Sequence, residues 1–243
     1  MTTEIILLRG LFRGSYHWGS FSENLSTTFP KCLVNCIDIP GNGYLSLEVS
    51  PNTISGMVES VRSQRKGQGK VCILAVSMGG MIGLKWAELY PEEVESVVCV
   101  NTSAKGFSPF YERLLPRNYI RIVRALLSSP LNREIAIYQM VSNQPLSTVT
   151  VNGWVNHSQK YPMSVSNFWR QLRAAIGFVI SRPACDLHFV VSLNDRLVHC
   201  EATKAIANAW GLPVIVNDTD GHDIALDNPE WLLRVLSSIW LKA

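Results

Sequence analysis

The run Val71-Cys72-Ile73-Leu74-Ala75-Val76-Ser77-Met78-Gly79-Gly80-Met81 decides how this chain reads. Its first six residues form an apolar stretch of the kind found in a strand buried on both faces. From Met81 to Tyr90 the pattern is helical, so the chain must turn from strand to helix within Ser77–Gly80. A turn that sharp strains the residue at its apex and needs small residues two positions to either side, here Ala75 and Gly79. It leaves a hydroxyl exposed at a helix N-terminus, where the dipole favours developing negative charge. A small-x-Ser-x-Gly match alone occurs by chance. At a strand–helix junction it points to a nucleophile, and the rival reading is an ordinary tight turn with an incidental serine.

Outward from that turn, apolar strand-like runs alternate with helical patterns. Strands are expected at Ile5–Leu8, Leu33–Ile37, Val71–Val76, Val97–Val100, Leu187–Leu193 and Val214–Val216. Helices are expected near Ser20–Thr28, Thr53–Arg65, Met81–Tyr90, Glu201–Trp210 and Pro229–Leu241. Such alternation predicts an α/β fold: a mostly parallel sheet of about six strands with helices on both faces. Lys105 to Arg182 breaks the rule, offering helical patterns interrupted at Pro116, Pro130, Pro145 and Pro162 but no strand. A long insertion between two strands of a regular sheet is usually functional. The expected organisation is therefore a core of residues 1–104 and 183–243, with 105–182 as a helical lid over the strand ends.

Composition narrows the class. With 243 residues, 47% hydrophobic and 17% charged, the chain suits one globular domain with a large core. Met-Thr-Thr-Glu-Ile-Ile-Leu-Leu reads as a first strand rather than a signal peptide, and no apolar run reaches membrane-spanning length. A soluble, cytoplasmic protein without membrane contact is the expectation. Of the six cysteines, Cys72 and Cys99 fall in strand-like runs, while Cys32 and Cys36 lack a second pair to complete a metal site. Reduced structural thiols, no metal and no cofactor are expected.

With Ser77 in this setting, the sequence resembles the α/β-hydrolase superfamily along essentially its whole length. It looks most like small bacterial esterases and thioesterases with a helical lid. A first strand opening at residue 5 implies loss of the N-terminal hairpin of larger members, and Ala75 replaces the commoner glycine. A serine hydroxyl needs a base, and the base needs an orienting carboxylate. The resemblance implies the chain order serine, acid, histidine, which selects Asp195 in Ser192-Leu193-Asn194-Asp195-Arg196-Leu197-Val198 and His222 in Asp220-Gly221-His222-Asp223. Asp220 and Asp223, too near the histidine in sequence, read as solvated turn residues. His199 reads as a helix cap, His188 and His17 as structural, and His157 as a surface residue of the lid. The resemblance further implies an oxyanion hole from the backbone N–H groups of Met78 and Leu11, the latter in Arg9-Gly10-Leu11-Phe12-Arg13-Gly14. Most relatives carry His-Gly where this chain has Arg9-Gly10. Arg9 either braces the loop or adds positive charge beside the site.

The net charge of +3 conceals an asymmetry. Residues 105–182 hold ten basic side chains against Glu112 and Glu134, so this segment is +8 and the remainder −5. Arg117, Arg121 and Arg124 share one helix face, with Tyr119, Ile122, Val123 and Leu126 expected on the opposite, core-facing side. The plain reading is a solvated basic face. The sharper one is docking of an anionic partner, for which the resemblance suggests an acyl carrier protein, as in the pimeloyl-carrier methyl esterase type, or a coenzyme A thioester. Nucleic acid is disfavoured because no binding module is present. The expected activity is cleavage of an ester or thioester through an acyl-enzyme. A lyase of the menaquinone-pathway type using the same three residues is the alternative, and a non-catalytic binding protein the third reading.

Overall fold

The computed structural model describes residues 3–241. Six strands form one all-parallel sheet in the order β2-β1-β3-β4-β5-β6: β1 (Glu4–Leu8), β2 (Leu33–Ile37), β3 (Val71–Val76), β4 (Val94–Val100), β5 (Asp186–Ser192) and β6 (Val214–Asn217). Side chains alternate along each strand. Ile6, Leu8, Ile73, Ala75, Val97 and Cys99 therefore share a core with α2 (Ile54–Arg62), α3 (Met78–Leu89) and α9 (Cys200–Ala209). Ile5, Leu7, Cys72, Leu74, Val98 and Val100 pack with α1 (Phe21–Thr28) and α11 (Pro229–Trp240). Burial on both faces explains why β1 and β3 are apolar without alternation.

Two elements start three residues earlier than the sequence expectation, and α2 ends three residues sooner, at Arg62. β4 begins at Val94, not Val97, because Glu95 and Ser96 interrupt the apolar run while the backbone still pairs with β3 around a bulge at Val71/Cys72. Helix α3 begins at Met78 rather than Met81. Gly79 and Gly80 are poor helix formers and hide its first turn. Gly79 is required there, since a Cβ would come 2.5 Å from the Leu8 carbonyl oxygen.

Between β4 and β5 the chain makes α4 (Phe110–Arg113), α5 (Tyr119–Leu127), α6 (Pro130–Val141), α7 (Thr148–Lys160) and α8 (Val165–Gly177), and a short α10 (Ile224–Asp227) precedes α11. Ser129, Ser147 and Ser164 start α6, α7 and α8 by accepting backbone hydrogen bonds from Asn132, Thr150 and Asn167. Ile137, Tyr138, Met140, Val141, Val151 and Trp154 give α6 and α7 a small core of their own. Helix α8 is stitched to the core domain: Asn167 accepts from the Ser50 N–H at 2.9 Å, and Gln171 donates to Asn42 at 2.9 Å.

Three expectations need correction in this region and near it. Val123 and Tyr119 are not core-facing but 46% and 37% exposed, because α5 packs chiefly on α6 and the turn before it. His157 is buried, stacked on Tyr16 at 4.3 Å between ring centroids, rather than on the surface. Asp220 and Asp223 are buried instead of solvated, each with a partner: Asn217 for Asp220 and Arg9 for Asp223. No helix among the described residues is long and apolar enough to cross a membrane. All six cysteines are free, and burial pushes the Cys72 thiol up to about 12.

Candidate active site

The carboxyl ends of a parallel sheet collect loops that no ladder can satisfy, so chemistry gathers there. Ser77 follows β3 with φ 59° and ψ −122°, a left-handed conformation that L-residues rarely adopt. Its backbone is pinned: the N–H donates to Val100 at 2.8 Å, and the carbonyl accepts from the Thr102 hydroxyl at 2.8 Å and from Gly80 N–H at 2.9 Å. Asn101, with φ 49°, ends β4 and holds the neighbouring loops together. Its side-chain amide donates to the His222 carbonyl at 2.9 Å, and its oxygen accepts from the Ser192 N–H at 2.8 Å.

His222 Nδ1 lies 2.6 Å from Asp195 Oδ2, and both side chains are buried. The other carboxylate oxygen, Oδ1, accepts from the N–H groups of Leu197 at 2.7 Å and Val198 at 3.0 Å, fixing the acid on the loop after β5. Burial by itself lowers the imidazole's pKa. The Asp195 charge, its hydrogen bond and Asp223 outweigh that and hold His222 above its ordinary value. Behind the ring, Gly221 is fixed at both ends, its N–H donating to Asp227 at 2.7 Å and its carbonyl accepting from Ser192 Oγ at 2.6 Å.

Ser77 and His222 line one cavity of about 140 Å³. Its apolar wall comes from both parts of the chain: Val76, Met78 and Met81 from the core, Ile122, Ala125, Met140 and Phe168 from the insertion. Arg113 also borders it, but its guanidinium donates to the Ala175 and Ile176 carbonyls near the end of α8. The loop after β1 crosses the serine closely; a Cβ on Gly10 would come 2.9 Å from Ser77 Cβ. In that loop the Leu11 N–H donates to no acceptor among the described residues. Met78 opens α3, so its N–H has no intrahelical acceptor. Two unpaired donors thus flank Ser77.

Arg9 braces the loop. It donates to Asp223 Oδ1 at 2.7 Å and to the His17 carbonyl, and lies over the Trp18 ring with its central carbon 3.9 Å from the centroid. Its charge is therefore matched by the residue that follows His222. Of the other histidines, His199 caps α9 and His188 pairs with Asp186 on β5. His17 accepts from Gly14 N–H, and burial with Arg13 and Arg9 nearby pushes it well below its ordinary value. The sequence reading leaves out Asn101, Thr102 and Asp227 and gives Asp223 no supporting role; polar residues directly after β4 are the one available signal.

Such a sheet, turn and site define a class, and the chain matches the family model for the alpha/beta hydrolase fold over residues 4–229. It belongs to that family. A search of curated protein sequences gave no significant match. Among solved structures it is similar to Rv0554 from Mycobacterium tuberculosis, with a TM-score of 0.74 and 17% identity over 100% of this chain and 91% of that one. It also resembles a lipase-esterase related protein from Clostridium acetobutylicum, with a TM-score of 0.70, 14% identity and coverage of 98% and 94%. The type II thioesterase BorB from the borrelidin biosynthetic cluster gives 0.67, 15%, 98% and 92%. At these identities the likeness is one of fold.

Proposed function

We propose that the protein is a serine hydrolase that cleaves an acyl ester or thioester through an acyl-enzyme. The observation that carries this reading is the buried Asp195–His222 pair at 2.6 Å, sharing a cavity with the strained Ser77. In the proposed reaction His222 takes the Ser77 proton as the hydroxyl attacks the acyl carbonyl, and Asp195 stabilises the imidazolium that forms. The oxyanion rests on the Met78 and Leu11 N–H groups, each such donor contributing about 3–4 kcal/mol to the transition state. His222 returns the proton to the leaving group and then activates water to release the acid. The apolar wall built by the insertion suits the hydrocarbon part of the acyl group, so residues 105–182 serve as the lid.

An anionic carrier presenting the acyl group accords with the exposed Arg117, Arg121 and Arg124, which have no carboxylate partner among the described residues. An acyl carrier protein or coenzyme A thioester is the form suggested by the sequence. The test is a fluorophosphonate label together with p-nitrophenyl esters of increasing acyl length and acyl-coenzyme A substrates. Ser77→Ala should abolish labelling and lower kcat by about four to six orders of magnitude. Undiminished ester cleavage by Ser77→Ala would overturn the reading.

A further inference from the structure

Helix α5 has three faces with different surroundings. Ile122 and Ala125 point inward and line the cavity beside Ser77. Ile120, Val123 and Leu127, spaced three and four residues apart along a second ridge, are 65%, 46% and 84% exposed. Arg121 and Arg124 flank that apolar ridge on α5, and Arg117 precedes the helix in a short turn, its Nε–H donating to the Arg196 carbonyl at 3.4 Å; all three are exposed. From Arg113 to Arg133 there is no acidic side chain. Three large aliphatic side chains left in water on one short helix need an explanation, since that contact weakens rather than supports the fold.

We propose that the outer face of α5 docks on an anionic lipid surface, which presents the acyl substrate to the cavity beneath the helix. The proposal deepens the hydrolase reading by naming the source of its acyl group, and it rests on that reading. It also departs from the sequence expectation of no membrane contact. Apolar and cationic ridges side by side are what an interfacial helix requires: the aliphatic residues enter the acyl boundary while long arginines reach the phosphates beside them. A second copy of the chain fits poorly, because a two-fold contact through this face would bring the same arginines together. An acidic protein would match the arginines but would need its own shaped apolar counterpart for Ile120, Val123 and Leu127. A lipid surface supplies charge and hydrocarbon without one. No membrane-crossing helix is needed, and none of the described residues forms one.

Vesicles of ether-linked phosphatidylcholine with about 30% ether-linked phosphatidylglycerol, neither of which an esterase can cleave, serve as the probe. In co-sedimentation the wild-type protein should bind them, bind pure phosphatidylcholine far more weakly, and be partly released by salt. The double variant Ile120→Ser/Leu127→Ser and the triple variant Arg117→Gln/Arg121→Gln/Arg124→Gln should each lose about tenfold or more in binding. The double variant should hydrolyse soluble p-nitrophenyl butyrate within about twofold of wild type, and the triple variant should keep the wild-type melting temperature. Failure of the wild type to bind anionic vesicles, or binding by either variant that equals the wild type's, overturns the proposal. Binding to an acidic acyl carrier protein but not to vesicles overturns it too, in favour of a protein partner. Vesicle binding without hydrolysis of any soluble ester would support the docking face while removing the hydrolase reading.

Discussion

At the carboxyl ends of the strands, the side chains that support the loops around Ser77 are held by partners from elsewhere in the fold. Arg9 meets Asp223, Asn101 meets His222 and Ser192, and Asp227 meets Gly221 and Asn143. Across the same cavity, α5 presents Ile122 and Ala125 inward and leaves Ile120 and Leu127 in water. One wall is fixed by hydrogen bonds between distant segments, the other by a helix resting mainly on its neighbour α6. Reaction chemistry needs groups held within fractions of an ångström. A wall that admits hydrocarbon needs only the right volume, and it can give. The two sides should therefore fail differently when changed.

The largest effect is expected on the fixed side. Asp195→Asn should lower kcat by about four orders of magnitude, with the wrong histidine tautomer left to face the serine. The sign of its pH effect follows from the raised pKa of His222. In the proposed reaction the neutral base is the active form, so the rising limb of kcat/KM should lie above the ordinary histidine value. Losing the Asp195 charge should move that limb to lower pH. The same shift makes a stability contribution that is fully present below the unfolded pKa and lost as pH rises through the folded one. Rate–pH profiles of the two proteins check this, and an unmoved limb would count against Asp195.

Arg9→Met comes next. It strands the Asp223 carboxylate, which is 7% exposed, and should cost about 3–5 kcal/mol in denaturant unfolding. Adding Asp223→Leu should return part of that loss: no buried charge is then unpaired, although the His17 carbonyl and the Leu226 N–H each lose a partner. A small loss for Arg9→Met alone would show the fixed wall to be less tightly held than its geometry implies. The smallest effect belongs to the yielding side. Ala125→Leu should reduce kcat/KM for long relative to short esters by roughly tenfold and change stability by less than about 1 kcal/mol. A loss equal across all chain lengths would break the contrast between the two walls.

The same contrast governs what the sequence made legible. Ser77, Asp195 and His222 occur where strands end, and strand ends are marked by apolar runs that stop. Their supports were hidden because the partners are far apart in sequence: Arg9 and Asp223 are separated by 214 residues. Arg9 therefore looks like a lone loop charge, and Asp223, which reads as solvated because it adjoins His222 in sequence, shows no sign of its distant partner. The start of α3 is obscured by glycines whose need lies in the approach of Leu8 to Gly79 and of Thr102 to Gly80, not in the helix. Helix α10, four residues long, is too short to show a period. In α5 the period correctly gave an amphipathic helix. Periodicity separates faces but does not say which face meets the core, so Val123 was turned the wrong way.

The backbone of Ser77 carries a consequence for how the molecule endures heat. Its left-handed conformation costs the folded state about 1–3 kcal/mol, a strain glycine would not feel. Glycine also loses more freedom on folding, by roughly 0.4–1 kcal/mol, so Ser77→Gly should come out ahead by about 1 kcal/mol or less at the low end. If Ser77 is the nucleophile proposed above, the sturdiest form of this protein is one that performs no reaction, and selection for durability alone would erase the serine.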